Sequence, residues 1–369
     1  MGLFITIALS VWGAMHAYVF WRLSSIPWVE AHTSRAGLVS AALALWASYP
    51  AARILESQRF DTIAEPLELV AANWMGVLFL LMAAFLAVDI VTAGGWLLRS
   101  WVPAIRGYAA LAGLALAVVA LIQGARPPVV RDHEVALAGL QPQADGLVLV
   151  QVSDLHLGSV LGRRWCARII ERLNAMKPDL LVLVGDVVDG NAERMEQFRP
   201  LLASLKARFG VFAVTGNHEY YAGVDRCVQL FDQCGWVVLR DRWVEPRPGL
   251  ILAGVDDLTA RRQFRLANNP LSKALAGRPP GATILLSHSP WQAESAAAAR
   301  VGLMLSGHTH NGQVWPFNYL VATRYPFISG RYNVAGMAMI VSRGAGTWGP
   351  RMRLWQPSEI VRITLRRAD

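Results

Sequence analysis

Long apolar runs fill the first third of the chain and short ones the rest. The long runs are Gly2–Trp21, Ala36–Leu55, Leu69–Val91 and Ala109–Gln123. The first, the third and, with its flanks, the fourth approach the roughly 20 residues that cross a bilayer core. The second carries Arg53 only at its end, where a long side chain can snorkel to the headgroups. Tryptophans 12, 21, 28, 46, 74, 96 and 101 lie in these runs or at their edges, several at interface depth. No positive segment precedes the first run and three more follow it, so a signal peptide describes it poorly. The pattern predicts a transmembrane region of about four helices over residues 1–124. His16 and Asp89 are its unusual polar residues; an intramembrane ionisable group is a functional candidate, but structural roles are expected for both. Loop arginines 22, 35, 99 and 106 on one side balance 53, 59, 126 and 131 on the other, so the positive-inside rule sets no orientation. Pro127–Pro128 ends the fourth helix, and residues 125–144 read as a linker.

From residue 145 the rhythm changes. Val- and Leu-rich runs of strand length stop abruptly at polar residues, with helical spacing between several of them. Expected strands are Gly146–Val152, Asp179–Val184, Val211–Val214, Trp236–Leu239, Leu250–Val255, Ala282–Leu286, Gly302–Leu305, Ala338–Val341 and Ile360–Leu365. Expected helices are Arg163–Met176, Glu193–Leu205 and Val224–Cys234. This is an α/β pattern filling residues 145–369 as one domain.

Composition agrees with a chain in two parts. Hydrophobic residues make up 54% and charged residues 17%, too apolar for an ordinary soluble enzyme. Residues 1–124 hold six Arg and six acids, so the whole net charge of +9 lies beyond them. A basic domain attached to a membrane suits anionic partners such as headgroups or phosphorylated substrates, although arginine is also simply the default surface cation of this chain. Cys166, Cys227 and Cys234 form no disulfide or zinc spacing and read as buried thiols of a reducing compartment.

The candidate chemistry sits at the strand ends, where layered α/β folds bind ligands. Five apolar runs release Asp154-Leu-His156, Gly185-Asp186-x-x-Asp189, Gly216-Asn217-His218-Glu219, His288 and Gly307-His308-x-His310. Any one of these alone would more often be a turn. Together, carboxylates, imidazoles and an amide without thiolates suit borderline-hard cations: Mn, Fe, Zn or Mg. Asp154 and His156, like His308 and His310, are two apart and on extended backbone would point the same way. Gly185, Gly216 and Gly307 would let backbone approach the site. Two metals in such a site can acidify a water and clamp the attacking and leaving oxygens of a phosphoryl displacement.

These five blocks, in this order and spacing, resemble the calcineurin-like metallophosphoesterases over about residues 145–369. The resemblance implies two mixed β-sheets sandwiched together and flanked by helices, with two divalent metal ions, Mn favoured, at one edge. Asp154, His156 and His310 would hold the first metal, Asn217, His288 and His308 the second, and Asp186 would bridge them. His218 would contact the scissile phosphate and protonate the leaving oxygen. Asp189 would fix a ligand or His218 through a hydrogen bond, or serve only as a turn acid before Gly190. Within the superfamily the chain is similar to its transmembrane group, which includes bacterial membrane phosphodiesterases and UDP-2,3-diacylglucosamine hydrolases of lipid A synthesis. The carriers are the apolar N-terminus, residues 307–314 and the Arg343-Gly344-x-Gly346-Thr347-Trp348 segment; Asn311 departs from the group's usual glycine.

The resemblance implies hydrolysis of a phosphodiester or pyrophosphate bond in a lipid-linked substrate at the bilayer. The expected setting is multi-pass, in a bacterial inner membrane, with the catalytic domain cytoplasmic. Arg261–Arg262–Gln263–Phe264–Arg265 could grip phosphates or be a solvated helix face. Trp315, Phe317, Tyr319, Tyr325 and Phe327 could form an apolar lip or be core. Nucleic acid is not an expected partner, since no basic run is interleaved with aromatics. The alternatives are a nuclease or nucleotide phosphodiesterase, a protein phosphatase, and a non-catalytic membrane sensor, which would be expected to lack ligands that are all present.

Overall fold

The computed structural model describes residues 2–266 and 269–368, with the side chains of residues 2–5 and 8 outside that description. It divides into two compact units. The first is Met1–Ala125 with Gly349–Trp355, and the second is Arg126–Trp348 with Gln356–Asp369.

The first unit contains α1 (Gly2–Leu23), α2 (Pro27–His32), α3 (Arg35–Ser57), α4 (Asp61–Val91) and α5 (Val102–Ala125). By length and composition, α3, α4 and α5 can each cross a membrane. Part of the first expected run lies outside the described side chains. Two helices start earlier than the apolar runs suggest: α4 by eight residues and α5 by seven. In α4 the added residues include Asp61, Glu65 and Glu68, and in α5 Arg106 and Gly107 interrupt the apolar pattern, so hydropathy misses both starts. Asp61 suits the positive end of the α4 dipole, and Glu68 pairs with Arg53 at 3.3 Å. Trp12, Val19, Leu78, Leu81, Phe85 and Ala110 pack inside, while Val39, Leu43, Leu111, Val118 and Ile122 are exposed, as lipid-facing residues should be.

The polar residues of this unit satisfy one another. His16 Nε2 accepts from Trp74 Nε1 at 2.9 Å, and its Nδ1 lies 2.8 Å from the Trp12 carbonyl. Asp89 accepts from Tyr18 (2.6 Å), Arg22 (2.7 Å) and Arg106 (3.2 Å). Each group stitches helices together, the structural reading.

The second unit is a sandwich of two six-stranded mixed sheets. The first has β1 (Val129–Leu137), β2 (Val148–Val152), β3 (Leu180–Val184), β4 (Val211–Val214), β5 (Val237–Val238) and β12 (Glu359–Arg367) in the order β1-β12-β2-β3-β4-β5. The second has β6 (Arg242–Arg247), β7 (Leu250–Gly254), β8 (Ala282–Leu286), β9 (Leu303–Ser306), β10 (Gly330–Val334) and β11 (Met337–Val341) in the order β10-β11-β9-β8-β7-β6. Successive side chains face opposite ways along a strand. In β3, Leu180, Val182 and Val184 therefore enter the core between the sheets, while Leu181 and Leu183 pack outward with Ile169 and Leu173 of α6 (Arg163–Ala175) and Phe231 of α9 (Val224–Gln233). The strand is buried on both faces, hence its unbroken apolar run; each such side chain contributes about 1.5–3 kcal/mol.

Two expectations need correction. The stretch 125–144 is not merely a linker: β1 runs parallel to β12 from Val129 opposite Glu359 to Leu137 opposite Arg367. It is an edge strand buried only at Val135 and Leu137, so Arg131, Asp132, His133 and Glu134 disguise it. The expected helix 193–205 is a 3-10 stretch, Ala192–Phe198, followed by the single turn α7 (Arg199–Leu202). Pro200 has no N–H to continue one helix through that point.

Candidate active site

Every candidate ligand follows the carboxyl end of a parallel strand. Asp154 and His156 follow β2, Asp186 follows β3, and Asn217 opens α8 (Asn217–Ala222) after β4; His288 follows β8, and His308 and His310 follow β9. Both sheets contribute. The loops are tied to each other by the Asp154 N–H to the Gly185 carbonyl (3.0 Å), the His156 N–H to the Asp186 carbonyl (3.0 Å) and the Gly307 N–H to the His288 carbonyl (2.9 Å).

The side chains converge in two groups. In one, His310 Nε2 lies 3.3 Å from Asp154 Oδ1 and 3.1 Å from His156 Nε2. In the other, His288 Nε2 lies 3.1 Å from Asp186 Oδ2 and 3.3 Å from His308 Nδ1. Asp186 Oδ2 is also 3.8 Å from His156 Nε2, so this one oxygen faces both groups. Each group has three donor atoms mutually within 4.8 Å, and the donor set fits divalent cations. Asn217 Oδ1 is buried without a hydrogen-bond partner, the condition of an acceptor kept for a ligand. Ring nitrogens turned away from the groups are engaged: His288 Nδ1 with the Val184 carbonyl at 2.8 Å and His308 Nε2 with the Tyr325 hydroxyl at 2.7 Å. Partners of this kind fix tautomer and orientation.

The backbone differs from the extended geometry expected for the two Asp/His-x-His pairs. Asp154, His156, Asp186, His308 and His310 have φ of 54°, 45°, 51°, 72° and 50°, so the left-handed conformation aims them. A Cβ on Gly216 would strike the Asp186 carboxylate, and one on Gly307 would lie 2.6 Å from Ser153 Oγ and against the Asp154 carboxylate. Asn311 has φ 51°. Asparagine tolerates this region, so it substitutes for glycine in the turn and bonds the Gln356 side chain.

His218 Nδ1 is 3.1 Å from Asp189 Oδ1. The His218 ring lies edge-on to His156 at 4.6 Å between centroids. Burial disfavours the charged imidazole, but Asp186 and Asp189 outweigh it and raise its pKa to about 9. Burial and the neighbouring charge of His288 lower His308 to about 3; burial and His218 lower His156 to about 4. Asp154 rises to about 6 through burial. Burial also opposes ionisation of Asp186, yet His288 and His218 hold it well below the usual carboxylate range.

Two participants have contacts here that the sequence reading did not assign to them. The buried Glu219 carboxylate accepts from the N–H groups of Asp186 (2.9 Å), Val187 (2.8 Å), Val188 (3.0 Å) and Gly216 (2.6 Å). It clamps the β3 loop to the β4 loop. A Glu three positions into a helix that starts at Gly216-Asn217 is a capping signal and could have flagged it. Tyr325, grouped with the aromatic lip, instead reaches His308. The rest of that lip divides: Phe317 and Tyr319 are exposed on α13 (Phe317–Arg324), whereas Phe327 packs on Tyr332 at 5.0 Å. The three cysteines are free and buried.

A two-sheet sandwich with paired Asp/His groups at its strand ends defines a metal-dependent phosphoesterase fold. Residues 147–312 match the calcineurin-like phosphoesterase family. A metallophosphoesterase of Aquifex aeolicus is 35% identical over 229 residues, covering 61% of this chain and 87% of its own length. The chain belongs to the calcineurin-like metallophosphoesterases. A "transmembrane protein with metallophosphoesterase domain" of Danio rerio is 38% identical over 265 residues, 69% of this chain. The chain spans only 61% of that relative's length and 60% of its Bos taurus counterpart's. Among solved structures, a dimetal phosphatase from Danio rerio aligns with a TM-score of 0.36 at 13% identity, over 55% of this chain and 88% of its own, too loosely to bear on function.

Proposed function

We propose that this protein is a membrane-tethered phosphoesterase that uses two divalent cations to hydrolyse a phosphodiester or pyrophosphate bond in a lipid-linked substrate, with UDP-2,3-diacylglucosamine as the type example. The carrying observation is Asp186 Oδ2, set 3.8 Å from His156 Nε2 and 3.1 Å from His288 Nε2 between the two donor groups. Asp154, His156 and His310 would hold one ion, Asn217, His288 and His308 the other, with Asp186 shared. Such ions supply Lewis-acid polarisation of the phosphoryl oxygens and acidify water at neutral pH, manganese being the favoured metal. The protein's own groups do the rest. His218, kept protonated by Asp186 and Asp189, delivers a proton to the leaving oxygen, and Asp189 holds the ring for that transfer. Phe317, Tyr319 and Leu320, exposed on one short helix, offer apolar surface to acyl chains. The apolar helices support a membrane tether; the proposed setting is multi-pass in a bacterial inner membrane with the catalytic unit cytoplasmic, where a nucleotide-linked lipid would be met.

The test is a substrate panel on the purified full chain loaded with manganese: UDP-diacylglucosamine, glycerophospholipids, cyclic nucleotides, DNA and an aryl phosphodiester. Preference for the lipid-linked pyrophosphate, lost on chelation and restored by manganese, is expected. Preference for DNA or cyclic nucleotides, or full activity after chelation, refutes it.

A further inference from the structure

Beside the donor groups lies a cavity of about 790 Å³ lined by residues of α10 (Leu258–Gln263), the segment after β8, and the end of α13. Tyr325 lines it, and the Tyr325 hydroxyl lies 2.7 Å from His308 Nε2, so one wall of the cavity touches the second donor group. Three arginines line it, in two different situations. Arg261 is neutralised by Asp241, with Asp256 at 3.8 Å. Arg262 and Arg324 have no such partner among the described residues. Arg324 lies over the Trp291 ring, its guanidinium carbon 4.6 Å from the centroid, and Trp291 is packed at 4.8 Å against Tyr325. A guanidinium laid on an indole keeps its in-plane N–H donors free and already positioned. Two uncompensated guanidinium groups on one cavity, one of them braced by an aromatic ring, are the recognition chemistry of a phosphate.

We propose that this cavity binds a second phosphate of the substrate, the one joined to the scissile phosphorus on its leaving-group or nucleoside side, through Arg262 and Arg324. This deepens the functional reading above and rests on it. The enzyme then selects pyrophosphate diesters over simple phosphodiesters, because only the former bring an anion into the cavity. Both residues lie outside the donor groups and outside the His218–Asp189 pair, so their loss spares the hydrolytic machinery.

The experiment uses the full chain and the double variant Arg262→Ala/Arg324→Ala, with Arg324→Lys keeping the charge but not the planar donors. ADP-ribose in solution and CDP-diacylglycerol in phosphatidylcholine vesicles present the second phosphate from a soluble and a lipid carrier; bis(4-nitrophenyl) phosphate lacks it. The expected result is at least a tenfold fall in kcat/KM, through KM, on the pyrophosphate diesters, with bis(4-nitrophenyl) phosphate within about twofold of the parent. A fall with both carriers assigns the cavity to pyrophosphate as such; a fall with vesicles alone assigns it to a lipid-borne pyrophosphate. An equal effect on all three substrates, or none on either pyrophosphate, overturns the proposal. Calorimetric binding of ADP-ribose to chelator-treated protein separates the two ideas. Weaker binding by the double variant sustains the subsite even if no substrate is cleaved, an outcome that would sink only the hydrolytic reading. Equal binding, or no binding by the parent, sinks the subsite.

Discussion

Glu219 should be as necessary to the site as any candidate ligand, although it offers no atom to a metal. Its two oxygens each accept two backbone N–H groups: Oε2 from Asp186 and Gly216, Oε1 from Val187 and Val188. In Glu219→Gln one oxygen becomes an NH2 group facing two N–H donors, so two bonds are lost whichever way the amide turns. Hydrogen bonds to a charged acceptor contribute about 1.5–3 kcal/mol each, so the loss is about 3–6 kcal/mol. Against it stands relief from burying a carboxylate: burial and Asp186 push Glu219 up to about 7, a sign that its charge is costly there. Discounting for that relief leaves a net destabilisation of about 2–4 kcal/mol. The release of the Asp186 loop should also cost metal. Urea unfolding of the detergent-solubilised full chain, with elemental analysis after gel filtration, measures both. Stability within about 1 kcal/mol of the parent together with undiminished metal content would refute the reasoning.

Three further outcomes are expected. His218→Ala should retain its metal while losing about a hundredfold or more in kcat, the range of a general acid, whereas Asp186→Ala should lose metal as well; elemental analysis and turnover on an aryl phosphodiester distinguish them. A general acid works below its pKa, so activity should fall as pH rises through the value that Asp186 and Asp189 elevate; Asp189→Asn removes one elevating charge, and the alkaline limb of the kcat/KM profile should move to lower pH. A protein beginning at Arg126 keeps β1 but strips Gly349–Trp355 of the helical unit to which that segment belongs, including the Asn73 and Ala120 bonds to the Arg351 and Arg353 N–H groups. With Met352 and Leu354 no longer buried, it should aggregate by light scattering, and Met352→Ser/Leu354→Ser should reduce that.

What could be read from the sequence was what burial writes into it directly. The strands β2, β3, β4, β7, β8 and β9 are buried along most of their length, so each is a continuous apolar run, and the ligands stand out where it stops. Three of the four edge strands lack that signature: β1, β6 and β10 are partly exposed along their length and read as loop, whereas the short edge strand β5 falls within the expected run Trp236–Leu239. Long-range partnerships also leave no local trace. Nothing in the spacing of Tyr325 marks it as the partner of His308. Nor does the polarity of Arg351 and Arg353 suggest that residues 349–355 belong with helices more than two hundred positions earlier.

The conformation of the ligands was illegible for a different reason, and it bears on how the site is maintained. Five residues of the two donor groups sit at positive φ, where a non-glycine residue costs about 1 kcal/mol or more. Asp and His tolerate the region better than most side chains, which holds the sum near the lower bound, about 5 kcal/mol. That is still comparable with the whole net stability of a small domain. It is held by bonds that run from loop to loop: Asp154 N–H to Gly185, His156 N–H to Asp186, and the His308 N–H to Asp154 Oδ1 at 3.0 Å. The Gly346 N–H to the Asp154 carbonyl adds a further segment. No ligand loop could keep its geometry alone, since Asp154, His156, Asp186 and His308 are each tied to a group from another strand end. A change at Gly346 or Glu219, neither of which bears a candidate metal ligand, therefore reaches the donor groups as directly as a change within them.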